Sequence, residues 1–145
     1  MINDLGHWVL NEDLCKNLNE EEFPFGFIYE ITNNINYKKY IGKKQILSKI
    51  KRKPLKGKKR NRIDYIQSDW KDYTGSSNDL NADIEKYGKE NFTFKILKFC
   101  RSKWEMAYFE CKIQMDNNVL LSEKYYNGII NIRLAKAPKN IAFEL

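Results

Sequence analysis

Phe25-Gly26-Phe27-Ile28-Tyr29-Glu30-Ile31-Thr32, the polar turn Asn33-Asn34-Ile35-Asn36, and Tyr37-Lys38-Lys39-Tyr40-Ile41-Gly42 form the stretch that decides the fold. The two flanks are rich in β-branched and aromatic residues, and the asparagine-rich link between them has turn chemistry. This pattern predicts two strands, residues 25–32 and 37–42, paired as a hairpin with Tyr29 and Tyr40 eleven residues apart. Paired tyrosines on a sheet face are ordinarily packing. Here Lys38, Lys39, Lys43 and Lys44 surround the second tyrosine. Nearby positive charge favours phenolate and lowers a phenol from its usual pKa of ~10, so the pair is a candidate for chemistry.

Beyond the hairpin, residues 43–69 read as a basic insertion interrupted by Pro54 and Gly57, which argues against one continuous helix. Its centre, KIKRKPLKGKKRNR at 49–62, holds nine of the 26 Lys and Arg and no acid. The rest of the chain carries 17 basic and 19 acidic side chains, so the net +7 resides entirely in this segment. Such a concentration is the footprint of a polyanion, most simply nucleic acid, with a solvated loop as the competing reading. The expectation is a mobile arm along a DNA backbone. Lys51, Arg52, Lys53, Lys58, Lys59 and Arg60 would contact phosphates, with Lys43 and Lys44 closer to the hairpin.

The remaining elements follow from caps and periodicity. Ser76 or Ser77 caps a helix that carries Leu80, Ile84 and Tyr87 at helical spacing and stops at Gly88. Phe92, Phe94 and Ile96 alternate with Thr93 and Lys95 as in a half-buried strand over 92–99. Ser102-x-x-Glu105 is a capping box opening a second helix, with Trp104, Tyr108, Cys111 and Met115 as its stripe and Asn117-Asn118 at its end. The order β-β-α-β-α predicts an α+β fold, a small antiparallel sheet flanked by helices.

With 145 residues the chain suffices for one domain with a genuine core. The boundaries read as an acidic, partly helical arm over 1–24, a domain over 25–132 containing the basic insertion, and a tail over 133–145. Apolar runs of ~18 residues are absent, which predicts no membrane span. The first residues lack the basic start and apolar run of a secretory signal, so a cytoplasmic location is expected. Cys15, Cys100 and Cys111 show no CxxC spacing, which disfavours zinc or a disulfide framework and leaves Cys100 and Cys111 as buried thiols. His7, the single histidine, lies in the acidic arm and reads as packing or surface.

Hydrolysis of a nucleic-acid phosphodiester needs a base for water, a divalent metal, a cation for developing charge, and a basic track for the backbone. Tyr29 and Tyr40 are candidates for proton handling. Of the carboxylates, Glu105 is explained by the capping box, whereas Glu110 has no capping role and competes only with a solvated surface glutamate.

These residues together resemble the GIY-YIG nucleases. FIY and YIG stand for the two tripeptides, with Phe27 in place of the first glycine and Gly26 just before it. GSSNDLNADIEKYGKENFTFKIL is similar to the segment of phage intron-encoded and free-standing homing endonucleases that joins the central helix to the third strand. The resemblance spans roughly 25–132. It implies metal-assisted DNA cleavage with Mg²⁺ or Mn²⁺, Tyr29 as base or proton relay, Tyr40 positioning it, and Glu110 holding the metal. It implies an arginine after YIG, which counting places at Arg62 with Arg60 as the alternative, and an asparagine, Asn127 or Asn131. Lys39 or Lys43 would depress a tyrosine pKa. The separate DNA-recognition domain of many homing members is not read in these residues, and a dimer is one way to cut both strands. The alternatives are a non-catalytic DNA-binding module or a basic adaptor for an acidic protein partner.

Overall fold

The computed structural model describes residues 4–10 and 24–139. Cys15 and the helix expected in the arm fall outside these residues. The strands are β1 (Trp8–Leu10), β2 (Gly26–Asn33), β3 (Lys39–Gln45), β4 (Leu47–Arg52), β5 (Arg62–Gln67) and β6 (Phe92–Cys100); the helices are α1 (Asn78–Tyr87) and α2 (Lys103–Asp116). The α+β class is as the sequence predicts. Two additions change the topology: β1 joins the domain, and β4 with β5 form a separate two-stranded ribbon.

The main sheet runs β1-β6-β2-β3, with β1 parallel to β6 and the other pairs antiparallel. The β2–β3 turn closes because buried Asn33 accepts the Ile35 N–H through Oδ1 (2.9 Å) and donates from Nδ2 to Tyr126 (3.1 Å). This asparagine-to-backbone bond is why the turn needs that residue type. Alternation along β2 then splits the interior in two. Phe27, Tyr29 and Ile31 enter one core with Trp8, Trp70, Leu80, Phe94 and Ile96, whereas Ile28 enters another with Ile41, Cys100, Met106, Phe109 and Val119. Each such aliphatic or Phe side chain contributes ~1.5–3 kcal/mol on burial, so both faces hold the sheet.

Opposite Tyr29 the ladder slips. Ile28 pairs with Lys98 but Tyr29 with Ile96, leaving Leu97 as an extra residue on β6. A bulge of this kind bends the strand and re-aims its neighbour.

Both helices start as expected. Ser77 rather than Ser76 caps α1, its Oγ accepting the Leu80 N–H, and Gly88 ends it. Ser102 accepts the Glu105 N–H at 3.1 Å, while the buried Glu105 carboxylate takes the Arg101 N–H at 3.1 Å, one residue earlier than the usual reciprocal bond. Glu105 is therefore structural. The stripe expected on α2 is corrected: Met106, Phe109 and Gln114 are buried, Met115 is exposed, and Trp104 stacks on Tyr108 at 5.1 Å. Cys100 is buried as expected, Cys111 only partly. Among the described residues no helix is long and apolar enough to cross a membrane.

Candidate active site

Tyr29 lies directly across the ladder from Gly42, and Tyr40 follows on the same face, with the two ring centroids 6.1 Å apart. A side chain at Gly42 could not coexist with this arrangement: a Cβ there would sit 2.5 Å from the Tyr29 hydroxyl oxygen and 3.0 Å from Cε1 of Tyr40. Gly75, at φ +84°, closes the pocket from the other side, its notional Cβ 3.3 Å from the same hydroxyl. The positive φ and the close approach both call for glycine. The glycines of YIG and of GSS are thus two walls of one tyrosine pocket.

The two phenols differ in access. Tyr29 is only 1% exposed, wedged against Trp8 and Tyr73. Tyr40 is partly exposed and its hydroxyl meets Ser76 Oγ at 3.2 Å. Burial pushes the Tyr29 pKa well above the ordinary phenol value, with the electrostatics of Tyr40, Tyr73 and Glu110 adding to it. Burial also raises Tyr40, which the bond to Ser76 partly offsets. The expectation that lysines depress these pKa values is therefore overturned. Alternation explains why. Lys39 and Lys43 share the face of Ile41, which packs on the α2 side, whereas Tyr40 packs on the α1 side. Lys39 pairs instead with Glu30 at 3.5 Å, and Lys43 with Glu110 at 3.8 Å.

The outer edge of β3 is covered by side chains and loop. The Lys39 N–H donates to the Lys124 carbonyl (2.8 Å), and the Ile41 N–H to Asn127 Oδ1 (3.1 Å). Asn127 Nδ2 and Gln114 Nε2 both donate to the Ile41 carbonyl, at 2.8 and 2.9 Å. Asn127 is buried and spends its amide on this backbone clasp, so its place is structural support next to Gly42, while Asn131 is exposed. Glu110 comes next along the same edge, held by the backbone and ammonium of Lys43. Burial raises its pKa, and the two Lys43 contacts pull the other way without cancelling that effect. Its charge is felt at both tyrosines. Gly42 is thus the point around which Tyr29, Tyr40 and Glu110 gather, the tyrosines on one face and the carboxylate at the edge.

Arg62 is not brought to this cluster. The ribbon is rooted at the Leu47–Gln67 pair and Arg62 opposes Arg52 at its far end, five residues out, ~17 Å at ~3.3 Å per residue. Its Nε contacts the Lys53 carbonyl at 3.4 Å within the ribbon. The segment after YIG is paired strand, not helix or arm, because Pro54 and Gly57 fall in its 53–61 turn rather than interrupting it. Lys51, Arg52, Lys53, Lys58, Lys59 and Arg60 are exposed on the ribbon and its turn, as a nucleic-acid contact requires.

Three further residues belong to the surroundings: Lys44 and His7, which the sequence reading named, and Tyr73, which it passed over. Tyr73 packs edge-on against Tyr29, ring centroids 6.2 Å apart, and helps to raise its pKa. Lys44, on the tyrosine face, lies 4.0 Å from the Tyr73 ring centroid and pairs with Asp69 at 2.7 Å. His7 Nε2 meets the Tyr73 carbonyl at 2.9 Å and its ring stacks on Phe94 at 3.8 Å, so His7 packs behind the pocket. Burial drives its pKa down to about 4. Only the DWKDYTGSS context hinted at Tyr73, by its nearness to the serines.

Among the described residues no group of three or more His, Cys, Asp or Glu could hold a metal. Glu110 alone suits a hard cation of the Mg²⁺ kind, which commonly takes one or two carboxylates and completes its shell with water and substrate phosphate. A half-buried carboxylate with a raised pKa and one loosely placed ammonium is a site that gains from such a charge.

A family model described as "Putative endonuclease segE, GIY-YIG domain" matches residues 8–130. A curated relative, "Putative endonuclease segE" of Enterobacteria phage T4, is 33% identical over 104 residues, 71% of this chain. The chain spans about 40% of that relative's length. No solved structure matches. The match begins at Trp8, so the β1 strand lies inside it.

Proposed function

The chain belongs to the GIY-YIG endonuclease family, and from that premise we propose that it hydrolyses phosphodiester bonds in DNA with one divalent cation, Mg²⁺ or Mn²⁺, held by Glu110. The observation that carries this reading is the gathering of Tyr29, Tyr40 and Glu110 around Gly42.

Tyr40 is the hydroxyl that handles the proton of the attacking water, because it reaches solvent whereas Tyr29 does not. Ser76 favours its ionised form by hydrogen bonding to the phenol oxygen. Tyr29, fixed by Tyr73 and both glycine walls, holds the Tyr40 ring in place. This inverts the order of roles that the resemblance implies for the two tyrosines. A bound divalent cation supplies charge on the phosphate oxygens and lowers neighbouring pKa values. Glu110 would hold that cation, and Lys43, 3.8 Å from the carboxylate, would then be able to pair with the phosphate instead. A non-catalytic module would be favoured by a Glu110 buried or remote from the tyrosines; the side chain is 21% exposed and coupled to both.

Incubation of the full chain with supercoiled plasmid, with Mg²⁺ or with EDTA, tests the reading. Nicked or linear product only with the metal is expected. One site acts on one strand at a time, so accumulation of nicked circles before linear product reports sequential cuts. Intact plasmid under both conditions, with DNA bound, would leave the DNA-binding module as the better account.

A further inference from the structure

We propose that the β4–β5 ribbon enters the major groove of duplex DNA and reads bases with Arg52 and Arg62, rather than lying along the phosphates as a mobile arm. The proposal rests on the nuclease reading above. Its first support is the state of the ribbon itself. β4 and β5 pair only with each other, all of β5 is exposed, and Ile63, Tyr65 and Ile66 are 53%, 60% and 44% accessible. An isolated two-stranded hairpin is marginal in water, and here Ile66 shares the face of Arg52 and Arg62 while Ile63 and Tyr65 lie on the other, so both faces of the ribbon are built to be covered, as insertion into a groove would do.

Charge selects the occupant. Arg52 stands directly opposite Arg62 in the ladder, an arrangement of like charges that destabilises a sheet unless an anion lies against it. A single carboxylate relieves it: Asp64 takes Arg52 Nε at 3.0 Å. The turn that follows adds Lys53, Lys56, Lys58, Lys59 and Arg60 without an acid. The occupant is therefore strongly anionic.

Dimensions and rigidity select the groove. Two strands ~4.8 Å apart with their side chains fit a major groove ~12 Å wide, which is known to admit a two-stranded ribbon. Six ladder pairs hold the side chains in register. The root is fixed by the Ser68 N–H on the Ile46 carbonyl at 2.8 Å, with Ile46 fully buried, and β4 starts five residues after Gly42. A mobile arm would average over positions; this ribbon holds its arginines at a set offset from the tyrosines. Arg52 and Arg62 share a face, and Asp64 orients the Arg52 fork as bidentate contact with guanine requires.

The test separates base reading from phosphate contact. The full chain, with EDTA to withhold the metal and prevent cutting, is challenged with a randomised duplex library and the bound fraction sequenced. Arg52→Lys and Arg62→Lys keep the charge and remove the planar fork; both side chains are exposed, so melting temperatures should not change. The wild type should enrich particular bases. Each variant should lose about tenfold or more of that preference at one or two positions, with an unchanged slope of log affinity against log salt. Variants that keep the wild-type base profile, or a wild type that binds every sequence alike, would overturn the proposal while leaving the nuclease reading intact. A wild type that binds no duplex would overturn both.

Discussion

Gly42→Ala probes the centre of the site with a single methyl group. The new Cβ would lie 2.5 Å from the Tyr29 oxygen and 2.7 Å from its Cζ, where ordinary contact begins near ~3.4–4 Å. Tyr29 would have to retreat by roughly 1 Å, and it is buried between Trp8, Phe27 and Tyr73. Overpacking of this kind costs ~1–3 kcal/mol, against ~0.4–1 kcal/mol gained by stiffening the unfolded chain, so destabilisation wins. For a domain of this size the melting temperature should fall by roughly 2–8 °C. Tyr29 positions Tyr40, and the new Cβ would also lie 3.0 Å from Cε1 of Tyr40; a displacement of ~1 Å passed on to that hydroxyl costs about 10²-fold in rate, which exceeds the effect of the population lost to unfolding. Initial rates of plasmid nicking and thermal melts, measured on the same preparations, check both figures. Gly128→Ala is the control, since nothing lies within 4 Å of a Cβ there, and it should match the wild type in both assays. A Gly42→Ala chain that cuts within twofold of wild type and melts at the same temperature would refute the pocket as described.

Asn127→Ala should leave the Ile41 N–H unpaired at the buried edge of β3 and cost ~1–3 kcal/mol by denaturant unfolding; a neutral result would mean that water or another group replaces the clasp. Tyr73→Phe keeps the ring against Tyr29 and removes the hydroxyl that helps to raise the Tyr29 pKa, so nicking should slow about tenfold while stability falls by only ~1 kcal/mol; an unchanged rate would remove Tyr73 from the site. His7 has a folded pKa of about 4, below its unfolded ~6.5, so its contribution is present above pH 6.5 and lost as pH falls toward 4. Melting temperature against pH should therefore be steeper for wild type than for His7→Phe across that window, and parallel curves would contradict the buried, neutral imidazole.

The local parts of this fold are legible in the chain, and the non-local parts are not. The hairpin, the Ser102–Glu105 box, Gly88 and the 92–99 strand each rest on residues within a few positions of one another, where turn chemistry, capping and period two act directly. β1 is three residues long and acquires strand geometry only by pairing with β6, Trp8 against Phe94. No local pattern carries that. The ribbon was hidden because its lysines and arginines outweigh the strand signal of Ile50, Ile63, Tyr65 and Ile66, and because Pro54 and Gly57 look like interruptions until their place in the turn is known. On α2, Trp104 and Tyr108 have core spacing yet are only half-buried, stacked on each other with Tyr108 at the margin of the second core. The three candidates singled out in the sequence, Tyr29, Tyr40 and Glu110, lie together around Gly42. Their electrostatics were misjudged, since adjacency in sequence placed Lys39 and Lys43 beside Tyr40, whereas alternation along β3 sends them to the opposite face.

Glu110→Gln is the most direct test of the account. Burial raises the folded pKa of Glu110 above its unfolded value, so the carboxylate's contribution to stability is present below the unfolded pKa and lost as pH rises through the folded one; at neutral pH its charge disfavours the metal-free fold. The amide should therefore melt no lower than wild type in EDTA and should bind duplex DNA as well. In Mg²⁺ it should nick supercoiled plasmid at least 10²-fold more slowly, about 2.7 kcal/mol of lost transition-state stabilisation. A Glu110→Gln chain that is folded, binds DNA and cuts at the wild-type rate would contradict the assignment of Glu110 as the metal-holding carboxylate.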